Sequence, residues 1–95
     1  MPQTASRISR LTLESDKVVS TGTIRVQNIY VANVTNTPAE VVFQDNDGVP
    51  ILNMMVPAYD SDDFGGHWIA DNGLKIIGLD DQNIIATIIH SDVGV

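Results

Sequence analysis

Apolar positions along this chain recur mostly with a period of two, interrupted by short clusters of Asn, Asp, Gly and Pro. Ala39, Val41 and Phe43 alternate with Glu40, Val42 and Gln44, as in a strand with one buried face. Asp45-Asn46-Asp47-Gly48 then reads as a hairpin turn, because these residues tolerate the positive φ of tight turns. The same logic predicts strands over 8–13, 23–35, 51–56, 67–70, 74–79 and 84–90, with a stub at Val18-Val19. Residues 58–66, holding Asp60, Asp62, Asp63 and two glycines, read as the one long loop. No window places apolar residues at i, i+3, i+4 and i+7 over three turns, so at most a single helical turn is expected. Turn clusters about every 8–12 residues predict an all-β fold: one antiparallel β-sandwich of the jelly-roll kind, with seven or eight strands. Its inward residues are Ile24, Val26, Val41, Phe43, Ile76 and Ile88, and residues 1–10 form a polar arm ahead of a domain spanning 11–95.

Two departures from simple alternation carry information. In the long strand, Ile24 and Val26 are even-numbered, whereas Ile29 and Val31 are odd-numbered. Either both faces are buried, or a bulge near Gln27-Asn28 inverts the register and moves the chain between sheets. The run from Ile84 to Ile89, the pair Ile76-Ile77 with Leu74 and Leu79, and the segment Ile51 to Val56 are apolar on both faces. A two-sheet sandwich buries only its inner faces, and monomers rarely expose large apolar patches. The pattern therefore predicts a homo-oligomer, with Met54, Trp68, Ile77, Leu79, Ile85 and Ile89 as interface candidates.

Charge and composition narrow the functions. The 95 residues are 43% hydrophobic and 18% charged, a globular balance. Twelve acids against five bases give a net charge of −7, which argues against nucleic acid or an anionic membrane as partner. Without cysteine there is no disulfide, thiolate zinc site or cysteine nucleophile. The polar start lacks the basic-then-apolar plan of a signal peptide, and no apolar run approaches the ~20 residues of a membrane helix.

Few residues of the chain point to chemistry. His67 and His90 are the only histidines, and no Gly-x-Ser-x-Gly elbow accompanies them. The acids cluster in predicted turns, where Asp serves local backbone hydrogen bonds. Neither Asp60-Ser61-Asp62-Asp63 nor Asp45-Asn46-Asp47-Gly48 has the ligand spacing of a calcium loop. Trp68, Tyr30 and Tyr59 are the aromatics that could stack on a sugar, the basis of an alternative carbohydrate-binding reading. The expectation is a non-enzymatic protein without cofactor or metal.

One resemblance adds to this. Thr21-Gly22-Thr23-Ile24-Arg25-Val26, Ile29-Tyr30-Val31-Ala32-Asn33, Phe43-Gln44-Asp45, Gly48-Val49-Pro50-Ile51, Val56-Pro57-Ala58 and Ile69-Ala70-Asp71-Asn72-Gly73-Leu74 carry it. In these segments the chain resembles small β-sandwich virion proteins of tailed bacteriophages, notably marine and cyanobacterial ones. The resemblance implies a capsid decoration, cement or tail-associated role, a virion location and no catalytic residues. It also favours a homotrimer seated on capsid or tail proteins. The polar arm, with Arg7 and Arg10, is the candidate docking element for those proteins.

Overall fold

A computed structural model describes residues 6–92. Eight strands follow in order: β1 (Arg7–Leu13), β2 (Lys17–Ser20), β3 (Ile24–Asn33), β4 (Ala39–Gln44), β5 (Pro50–Val56), β6 (Asp60–Ala70), β7 (Leu74–Ile76) and β8 (Asp81–Asp92). No helix occurs among the described residues. Strands β1 with β8, β2 with β7, β3 with β6 and β4 with β5 all pair antiparallel. The chain is thus a long hairpin with its tip at residues 45–49, bent over itself. Bending yields two four-stranded sheets, β1-β8-β3-β6 and β2-β7-β4-β5, the strand order of a jelly roll.

The alternating residues meet between the sheets. Ile24, Val26, Ile29, Val31, Ile84, Ala86 and Ile88 of the first sheet pack with Val41, Phe43, Met54, Val56, Leu74 and Ile76 of the second. All six inward residues read from the sequence are fully buried. The bulge is present: the pairing of β3 with both neighbours shifts between Val26 and Asn28. It inverts the side-chain parity, so Val26 and Ile29 both face inward. The chain does not change sheets there, because β6 and β8 flank β3 on both sides of the bulge.

Asn33 ends β3 and pins a corner of the sandwich. Its side chain is 1% exposed. Nδ2 donates towards the carbonyls of Thr37, Val56 and Pro57 at 2.8, 3.1 and 3.2 Å, while Oδ1 accepts from Thr35 N and Thr35 Oγ1. One amide therefore ties the end of β3 to the approach to β4 and the end of β5. At the hairpin tip, Asp45 Oδ1 accepts from the backbone N–H groups of Asp47 and Val49, each at 2.9 Å, and Gly48 takes φ +81°. The Val49 bond is the main reason the Asp45 carboxyl lies below the ordinary value of 3.8.

Three expectations need correction. Residues 60–66 are not loop: they belong to β6, and Asp60 to Gly65 pair with Asn28 to Asn33. Val18-Val19 belongs to the longer β2, while β7 ends at Ile76. Arg7 to Arg10 lie in β1, paired with β8, rather than in a polar arm. Residues 1–5 of that arm lie outside the described residues.

Candidate functional surface

Directly paired residues of neighbouring strands point to the same face of a sheet. This fixes the outer face of the β1-β8-β3-β6 sheet. One row across it is Ile8, Ile89, Asn28 and Gly65; the next is Arg10, Thr87, Tyr30 and Asp63; the third is Thr12, Ile85, Ala32 and Ser61. Ile69 points the same way, opposite Arg25. Ile8 is 70% exposed, Ile69 46% and Tyr30 45%, and Ile85 and Ile89 are half-buried between them. Apolar side chains thus stand on all four strands. Beside Tyr30 and Ile85 lies a depression of ≈ 460 Å³ that Arg10, Thr87, Ser61 and Asp63 also line.

The six interface candidates divide. Ile85 and Ile89 lie on this outer face, as their position on β8 requires. Ile77 follows the buried Ile76, is half-buried, and hydrogen-bonds through its N–H to Val42 O beside the other sheet. Met54, 6% exposed, belongs to the core, and Met55 at 60% is the outward member of that pair. Leu79 and Trp68 are partly buried against the core rather than turned outward. Ile8, Tyr30 and Ile69 were missed as interface candidates. Ile8 and Ile69 each sit beside a predicted inward or polar run, and their exposure depends on which strands are edges.

The candidate docking arginines are both in β1. Arg7 forms an exposed ion pair with Asp92 at 3.3 Å, whereas Arg10 has no carboxylate within ion-pair distance among the described residues.

A second depression, ≈ 340 Å³, opens between β5 and β6, lined by Ile51, Leu52, Phe64, Gly65, Gly66, His67 and Trp68. Trp68 pairs with the inward Val26, and its indole N–H is buried without a partner. Tyr30 and Tyr59 are exposed, but Tyr59 stands in a turn at φ +52°. The acids of β6 alternate between faces, Asp60 and Asp62 on one and Asp63 on the other, with Asp60 and Asp62 each accepting from the next backbone N–H. No group of three or more His, Cys, Asp or Glu among the described residues is arranged to hold a metal ion.

His67 is exposed. His90 is 4% exposed, and its Nε2 lies 2.8 Å from Ser9 Oγ. Burial pushes the His90 imidazole below its ordinary 6.5, against a smaller opposing pull from Asp92. A hydroxyl beside a histidine invites comparison with a nucleophile and its base. Here Nδ1 is buried without a hydrogen-bond partner, so no third group orients the ring. None of the three depressions described is lined by Ser9 or His90.

No protein-family model matches the chain, and no curated protein matches it. Among the described residues, no helix is long and apolar enough to cross a membrane.

Proposed function

We propose that this protein is a non-enzymatic structural component that works as a homo-oligomer, of the capsid-decoration or tail-associated kind carried by tailed bacteriophage virions. The observation that supports this reading is the set of apolar side chains Ile8, Tyr30, Ile69, Ile85 and Ile89, which stand among polar ones on the outer face of the β1-β8-β3-β6 sheet. Fully burying an aliphatic side chain of this size stabilises by roughly 1.5–3 kcal/mol. Several together can exceed the cost of association, which covers about 4–15 kcal/mol. Jelly rolls serve in viral capsids and in lectins alike, so the fold leaves the choice to the surface. A carbohydrate module would present its tryptophan on an exposed face; Trp68 instead packs against the core.

Ile8→Lys combined with Ile69→Lys tests the reading, since both side chains already meet solvent. The double variant should keep its β-sheet circular dichroism and lose assembled mass in solution. Unchanged assembly would remove the outer face from the account. Capsid or tail genes flanking this one would support the virion assignment, and metabolic genes would sink it.

A further inference from the structure

The two edges of the β1-β8-β3-β6 sheet are unlike. Edge strand β1, Arg-Ile-Ser-Arg-Leu-Thr-Leu, carries two arginines and no acid. Edge strand β6, Asp-Ser-Asp-Asp-Phe-Gly-Gly-His-Trp-Ile-Ala, carries three aspartates and no lysine or arginine. Two β6 edges would repel each other, and so would two β1 edges. A β1 edge and a β6 edge attract.

Strand direction and register agree with that charge. The four strands alternate in direction, so β6 and the β1 of a copy placed beside it run antiparallel. In an antiparallel sheet each residue aims its N–H and C=O to one side, and successive residues alternate. Because the number of strands is even, a copy added without sliding continues both the direction and the hydrogen-bonding alternation. Extending the rows of the outer face then sets Arg10 of the new copy directly opposite Asp63. Arg10 has no ion pair among the described residues to give up. Ile8 of the new copy falls opposite Gly65, where a Cβ would meet nothing within 4 Å. The most exposed isoleucine thus meets open space on the neighbouring strand.

We propose that copies of this chain join head to tail, the β1 edge of one on the β6 edge of the next, extending the β1-β8-β3-β6 sheet with Arg10 paired to Asp63. The proposal rests on the homo-oligomer reading and adds to it a contact at the sheet edges, distinct from the apolar side chains of the outer face. Such a contact uses different patches on the two partners, so it closes into a ring or grows into a filament.

The chain contains no cysteine, so cross-linking can be read without background. Residues directly opposite in antiparallel strands have Cα atoms about 4.5–5.5 Å apart, within the disulfide range. Mixed under oxidising conditions, Arg10→Cys and Asp63→Cys proteins should give a disulfide-linked dimer that neither gives alone. A link in Arg10→Cys alone or Asp63→Cys alone would mean a symmetric edge contact and overturn the proposal. In parallel, Arg10→Glu and Asp63→Lys should each weaken assembly by about tenfold, as an opposite-charge pair becomes a like-charge one. The double variant should restore it. If the unmodified protein assembles while the mixture gives no link and both reversals are silent, the edge contact is wrong and the homo-oligomer reading stands. If the unmodified protein is monomeric, both fall.

Discussion

Asn33 shows how much one polar side chain can hold in a core this small. It satisfies backbone groups from two segments, residues 35–37 and 56–57, while almost wholly buried. Asn33→Ala would strand those carbonyls and the Thr35 N–H, and unsatisfied buried groups cost about 1–3 kcal/mol each. Urea unfolding should therefore show a loss of at least that size, and a change within error would mean water replaces the amide. His90 predicts a pH dependence. Its folded-state pKa lies below the ordinary 6.5, so the unfolded chain takes up a proton at pH values where the folded chain does not. Its contribution is intact above about pH 6.5 and is lost as pH falls through the depressed folded value. Thermal melts between pH 7.5 and 5 should lose stability more steeply in the wild type than in His90→Gln; parallel slopes would contradict the assignment.

The strands show which parts of the fold were legible beforehand. Alternation placed Val41 and Phe43 inside, and the parity change offered a bulge near Gln27-Asn28 as one of two readings, since both signals are local. Of strand β6 only residues 67–70 were legible, and its first half was not. Its Asp and Gly content contradicts strand propensity, and it is a strand because the ten-residue β3 supplies a partner along its length. Acids are tolerated there because an edge strand stays in solvent. Met54 and Met55, adjacent and equally apolar, could not be told apart by hydropathy. The β1–β2 turn makes a further demand at the element scale. Leu79 N–H donates to Leu13 O at 2.8 Å and Gly78 N–H to Asp16 Oδ1 at 2.7 Å. A Cβ on Gly78 would stand 2.5 Å from Ser15 C and 2.7 Å from Asp16 N, both backbone atoms with little room to yield. Gly78→Ala should cost roughly 1–3 kcal/mol in urea unfolding, and a neutral effect would show that the turn can move away.

Across the whole molecule, the candidate surface was half legible. Ile85 and Ile89 were read as outward, while Ile8, Tyr30 and Ile69, which complete the patch with them, acquire their role only from sheet order. A jelly roll of 95 residues buries about 60–65% of its unfolded surface, which leaves a lone copy marginal. Opposite charges on its two sheet edges and apolar side chains on the face between them are the features that self-association would use. Light scattering coupled to size-exclusion chromatography, at micromolar concentration and moderate salt, measures this directly. Self-association through these edges predicts a mass several times the 10.3 kDa of one chain, falling as salt is raised. A stable species of 10.3 kDa at every salt concentration would contradict it.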